Sequence, residues 1–122
     1  VLMVDKVSLT DKFALFSDQW SPKIVGQVDN YDVKLAKIEG EFVWHSHEHE
    51  DEMFLIISGQ LIMRFRDHEV TVNPGEFIIV PKGVEHNPLA PVETQIVLFE
   101  RNSTAHTGDV VSERTVKDYQ RL

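Results

Sequence analysis

His45, His47 and His49 fall within five residues and are followed at once by the carboxylates of Glu50, Asp51 and Glu52. A further histidine, His86, comes just after the turn sequence Pro81-Lys82-Gly83. Residues two apart on a β-strand project to the same face, so His45 and His47 present their imidazoles together. A short acidic stretch can then turn the chain and bring Glu52 back to that face. Imidazole nitrogens with a carboxylate oxygen suit a borderline divalent ion such as iron, manganese, zinc or nickel. The residue types thus compose a candidate metal site of His45, His47, Glu52 and His86. The competing reading is a solvated loop, because His/Glu-rich runs in acidic proteins are often that, and clustered histidines bind metal adventitiously. No residue is assigned a catalytic role.

The elements that would position these groups are short strands. Alternation and turn residues predict strands over 23–28, 33–38, 41–49, 53–58, 61–66, 70–72, 77–80 and 93–100. Asp29 to Asp32, Glu39-Gly40-Glu41, Ser58-Gly59 and Asn73-Pro74-Gly75 read as turns. Arg66-Asp67-His68-Glu69 reads as a charged hairpin tip, with His68 on the surface. Residues 1–9 read as an edge strand or an arm, and Thr10 as the cap of a helical turn over 12–16. Trp20 reads as a packing anchor beside Ser21-Pro22. In the strand over 41–49, Val43, His45 and His47 share one face and Phe42 and Trp44 the other. Histidines facing inward would leave Phe42 and Trp44 outward, to be covered by another segment or a second subunit, which predicts a homodimer. Residues 77–80 read as a short buried strand, His106 as a loop histidine, and the last dozen residues, with Val110, Val111 and Tyr119, as a segment packing on the barrel or a partner. Eight or nine close-spaced strands argue an all-β sandwich or barrel.

Pro81-Lys82-Gly83 has a specific consequence for His86. Proline presets one dihedral and glycine accepts a positive φ, so the backbone is rigid just before the imidazole it delivers.

The spacing of these residues resembles the two motifs of the cupin superfamily. The first motif is a glycine, five residues, His-x-His, three or four residues, Glu, six residues and Gly. Here it reads His45-x-His47, four residues, Glu52, six residues and Gly59, with only four residues between Gly40 and His45. The second motif reads Gly75, five residues, Pro81-x-Gly83, two residues and His86, with Ala90 where the family has Asn. Both departures bear on turn geometry, since neither position is a metal ligand in the family. The motifs cover about 40–59 and 75–90, and the short gap between them is similar to that of small bacterial cupins. The resemblance implies a single-domain jelly-roll barrel or sandwich over 1–122, with the metal inside. It places the carboxylate ligand at Glu52 rather than at His49, leaving Glu48, His49, Glu50 and Asp51 as a solvated rim. Proteins of this look are often named mannose-6-phosphate-isomerase-like, and the family implies a metal-dependent isomerase or dioxygenase.

Composition sets further bounds. A chain of 122 residues can form one domain and bury a core without staples. It has no cysteine, so a metal site here uses nitrogen and oxygen only. The net charge of −8 repels nucleic acid, and no helix-turn-helix region is left over to read DNA. No run approaches the roughly 20 apolar residues of a membrane span. Val1 to Asp5 show neither a basic leader nor a long apolar core, and a cytoplasmic location is expected.

The expected ligand is a small oxygen-rich molecule. The alternative to an enzyme is a non-catalytic binding or sensing module with a structural metal. A second titratable group near the metal, with Tyr31, Glu41, Arg64 and Glu100 as candidates, would favour catalysis. A lining of residues such as Phe54, Ile56, Met63 and Phe77 would favour a hydrophobic ligand, or dioxygen chemistry on an aromatic one.

Overall fold

The structure is a computed structural model describing residues 4–104, 107, 108 and 118–122; His106, Val110 and Val111 lie outside these. It is all-β apart from one helical turn. The order is α1 (Leu9–Phe13), β1 (Lys23–Val28), β2 (Tyr31–Glu41), β3 (Glu52–Ser58), β4 (Leu61–Phe65), β5 (Glu69–Val72), β6 (Phe77–Val80), β7 (His86–Arg101) and β8 (Gln120–Arg121).

The strands form a sandwich whose sheet is not closed. Neighbours run β5-β4-β7-β2-β1-β8, with β3 joined to β7 and carrying β6 on its other side. The 16-residue β7 links the two layers. Its first half, from His86 to Leu89, pairs with β4, and its second half, from Gln95 to Glu100, pairs with β3. The 11-residue β2 lies beside β7 across both halves, with a register shift between Ile38 and Gly40. Every pairing is antiparallel except β1 with β8.

Alternation explains the burial. Asp32, Lys34, Ala36 and Ile38 of β2 face inward, as do Glu52, Phe54 and Ile56 of β3 and Ile96, Leu98 and Glu100 of β7. With Leu61, Met63, Val72 and Val80 these apolar residues make the main core. Outside the sheet, Leu35 and Val97 are covered by Phe13 of α1, with Leu9 and Phe16 alongside.

Several sequence expectations shift in register. The cap of α1 is Ser8, whose hydroxyl accepts from Asp11 N at 3.2 Å, so the helix starts earlier than a Thr10 cap would allow. Residues 4–8 form no strand. β7 starts at His86, through Pro88 and Pro91, although prolines argue against a strand. Pro88 is tolerated because it contributes an acceptor, taking Phe42 N at 3.0 Å. β6 is an edge strand, not a buried one: Phe77 and Ile79 are 59% and 53% exposed.

The largest correction concerns residues 42–51. β2 ends at Glu41, and the chain then runs through an irregular segment with a single bridge, His45 to His86. Strand parity therefore fails there. Phe42 turns inward, 8% exposed, and stacks on Trp20 with ring centroids 4.5 Å apart. Trp44 is half-buried beneath the Arg66 guanidinium, 3.9 Å from its ring centroid. Both aromatics are thus covered within the chain and give no reason for a second subunit.

Gly59 is confined to glycine by its surroundings. It sits at φ +87°, and a Cβ would strike Thr94 Oγ1 and lie 2.8 Å from the Glu93 carbonyl oxygen. The same Thr94 hydroxyl accepts from Gln60 N at 3.0 Å, tying this β3–β4 turn to β7.

Candidate metal centre

Three separate pieces of backbone deliver the candidate ligands. His45 and His86 sit opposite each other across the isolated bridge, His45 N donating to His86 O at 3.0 Å and His86 N to His45 O at 2.9 Å. His47 is tied to the Pro81–Gly83 turn, where Gly83, at φ +81°, donates its N–H to His47 O at 2.7 Å. Lys82 N donates to Asp51 Oδ1 at 2.9 Å, so one residue of the acidic rim also holds this turn. Glu52 opens β3, paired with Val80 on one side and Glu100 on the other.

The four side chains meet in the interior. His45, His47, Glu52 and His86 are 3%, 5%, 2% and 0% exposed. One donor atom from each lies within 4.8 Å of the others. Ligand bonds of roughly 2.0–2.2 Å put donors on opposite sides of an ion about 4 Å apart, so modest tightening would seat one ion.

Tautomers follow from the backbone. His45 Nδ1–H donates to Val43 O and His86 Nδ1–H to Val84 O, each at 2.9 Å. A carbonyl only accepts, so both neutral rings carry the proton on Nδ1 and turn the Nε2 lone pair inward. His45 Nε2, His86 Nε2 and Glu52 Oε1 are buried and make no hydrogen bond among the described residues. Glu52 Oε1 lies 3.3 Å from His47 Nε2 and 3.5 Å from His86 Nε2. Buried acceptors converging without donors are costly unless a cation satisfies them, so the donor set fits a divalent ion.

Electrostatics favours the ligating protonation states. Burial, and then the His86 imidazole, push the His45 pKa down to about 4, so this ring is neutral at pH 7. Burial alone would raise the Glu52 carboxyl. The hydrogen bond from Glu100, and then the adjacent His47 and His86 rings, outweigh it and hold Glu52 well below the usual carboxylate range. Glu100 goes the other way, raised by burial and then by the charge of Glu52.

A small cavity of about 30 Å³ touches His45 and Glu52. The rest of its lining is apolar, including Trp20, Ala36, Ile38, Phe42, Phe54 and Leu98. Space of this size holds one or two water molecules. A separate polar recess of about 200 Å³ borders His47, beside Ser46, Glu48, His49, Glu50 and Ser103.

Other candidates fall outside the centre. His49 is exposed and lies 3.8 Å from Glu48; His68 is on the surface beside Asp67, at 2.7 Å. Arg64 and Glu41 pair with each other at 2.9 Å, and Tyr31 stacks on Phe99. Of the proposed second titratable groups, only Glu100 reaches a candidate ligand. The sequence reading missed Lys34, which donates to Glu100 Oε1 at 3.1 Å with both side chains fully buried. The signal was there: Lys34 shares strand parity with Ala36 and Ile38.

Known proteins resemble this chain in sequence and fold. The family model for the cupin domain matches residues 31–100. A cupin-2 domain containing protein from Shewanella frigidimarina is 44% identical, with a TM-score of 0.78 over 79% of this chain and 94% of that one. Protein NMB1881 from Neisseria meningitidis is 27% identical, with a TM-score of 0.74 over 80% of this chain and all of that one. The uncharacterized protein YdbB of Bacillus subtilis is 34% identical over 71 residues, 57% of this chain and 63% of YdbB.

Proposed function

The chain belongs to the cupin domain family, and from that premise we propose that it binds one divalent transition ion through His45, His47, Glu52 and His86 and uses it to bind a small oxygen-donor ligand. The observation carrying this reading is the meeting of four buried donor atoms with an apolar cavity at His45 and Glu52. Bound there, the ion would supply Lewis acidity toward a ligand oxygen and, as iron, a site for dioxygen. The chain's own residues do the rest. Val43 O and Val84 O orient two imidazoles, Glu52 brings negative charge, and the stacked Trp20 and Phe42 rings wall the cavity.

The small apolar cavity suits dioxygen better than a sugar. Isomerisation needs a proton carrier at the cavity other than the ligands themselves. Among the described residues the lining offers His45 and Glu52 and otherwise carbon. No cation lines it to receive a sugar phosphate, so a mannose-6-phosphate-isomerase-like activity has no support there. The same lining fits a module that holds its ligand without turnover; consumption of the ligand by iron-loaded protein separates the two.

Metal analysis of natively purified protein tests the reading. About one equivalent of a transition metal is expected, retained in His68→Ala and lost in His47→Ala. Equal content in the two variants would refute the ligand assignment.

We also propose a homodimer, now through β6. Among the described strands β6 pairs with β3 alone, and its Phe77 and Ile79 are exposed beside a free backbone edge. A two-fold pairing of β6 with its copy would cover both. Sedimentation should give a dimer that Phe77→Lys dissociates, whereas a monomer at high concentration would refute it. A cysteine-free chain of this kind is at home in the cytoplasm.

A further inference from the structure

The small cavity at His45 and Glu52 has walls of two kinds. Ala36 and Ile38 of β2, Phe54 of β3 and Pro88, Ile96 and Leu98 of β7 lie on paired strands, whose ladders fix their positions. Trp20, Pro22 and Phe42 lie off the strands, in the segments before β1 and after β2. The Trp20 and Phe42 rings stack nearly parallel, with 5° between their planes and 4.5 Å between their centroids. Trp20 reaches this place through an unusual backbone. Its φ is +57°, in the left-handed region, where a bulky residue is a genuine outlier. Such a conformation persists only where the surroundings hold it. Here Trp20 N donates to Lys37 O at 2.9 Å, and Trp20 Nε1 donates to Glu39 O at 3.0 Å. Gln19 Nε2 donates to Glu93 Oε2 at 2.7 Å and fixes the residue before it. Strained residues held in this way cluster at active sites and ligand clamps. Packing alone gives no reason for tryptophan at a position whose backbone favours glycine or asparagine. The cavity gives one: the indole occupies space beside His45 and Glu52 that the strand residues leave open.

We propose that Trp20 is the specificity-determining residue of this cavity, and that its ring limits the ligand at the ion to a molecule the size of dioxygen or a small carboxylate. The proposal rests on the metal reading above and deepens it by naming the size class of the ligand. A water takes up about 10–15 Å³ of such space. The cavity's volume of about 30 Å³ therefore holds a few atoms and no ring. An apolar cavity of about 150 Å³ is enough for benzene, so removal of the indole would open room for an aromatic ring.

The test titrates the Co²⁺-loaded full chain with formate and with benzoate, following the visible absorption of the ion. The two carboxylates share charge and donor type and differ in size. Trp20→Gly removes the indole and relieves the left-handed backbone. The parent should respond to formate and not to benzoate. Trp20→Gly should bind formate within a few-fold of the parent, and benzoate at least about 10-fold more tightly than the parent does. If Trp20→Gly does not fold, Phe42→Ala removes the other ring of the stack and should show the same gain for benzoate. A merely structural Trp20 would lower the melting temperature and leave the ratio of benzoate to formate affinity as in the parent. That result would overturn the inference. So would a parent that takes up Co²⁺ and responds to neither carboxylate, since the cavity then does not lead to the ion. Failure of the parent to take up Co²⁺ would instead overturn the metal reading, and this inference with it.

Discussion

Saturating divalent metal should raise the melting temperature of this protein by about 16 °C, and a chelator should reverse it. The metal-free centre holds the acceptors His45 Nε2, His86 Nε2 and Glu52 Oε1 buried, with no hydrogen bond among the described residues. An ion that binds the folded state and not the unfolded one stabilises by about 4 kcal/mol at a thousand times its dissociation constant. For a chain of 122 residues, each kcal/mol moves the midpoint by about 4 °C. Calorimetry with and without metal measures this directly. In His86→Ala, which removes a fully buried donor, the metal-dependent shift should vanish. A midpoint indifferent to every first-row divalent ion would count against a metal centre of any kind. The same experiment on the cupin-2 domain containing protein from Shewanella frigidimarina would show whether the response is general.

Lys34→Met should be among the most destabilising substitutions in the chain, costing about 3–5 kcal/mol. It removes the only cation paired with Glu100 among the described residues and leaves two carboxyls adjacent in a dry interior. The melting temperature should fall by roughly 12–20 °C. Adding Glu100→Leu to Lys34→Met should recover a large part of that loss, with a coupling energy of about 2 kcal/mol in the double-mutant cycle. The contrast matters more than either value. If stability came from general packing of a long aliphatic stem, methionine would serve as well as lysine, and the second substitution would add damage instead of relieving it. Denaturant unfolding of the four proteins decides between the two, and purely additive losses would contradict the charge argument.

These expectations draw on different levels of the molecule. The candidate ligands were legible in the sequence because their signal is chemical and local. His45-x-His47, Glu52 and the rigid Pro81-Lys82-Gly83 approach to His86 limit what the residues can do together, and the fold brings all four within reach of one ion. Strand content was legible for a similar reason. Alternation in 61–66 and 93–100 and the continuous apolar run of 53–58, bounded by turns at Gly59 and Gly75, are local marks of strands. Cysteine-free composition limited the donors to nitrogen and oxygen.

Only the tertiary structure decided which way side chains point once the strand period breaks, and which distant residues lie opposite each other. Phe42 was expected outward because parity was carried past Glu41, where β2 ends; the irregular segment instead turns Phe42 onto Trp20. Phe77 and Ile79 looked buried because they are apolar, yet β6 is an edge strand with one neighbour. Residue type records hydrophobicity, not whether another element arrives to cover it. Glu52 and Glu100 are 48 residues apart in sequence and directly opposite in register. Pairing between β3 and β7 is settled by the closure of the whole sandwich, which no local window of residues contains. The candidate ligand set was therefore legible in residue types and motif spacing. The charge pair behind it exists only because three strands meet.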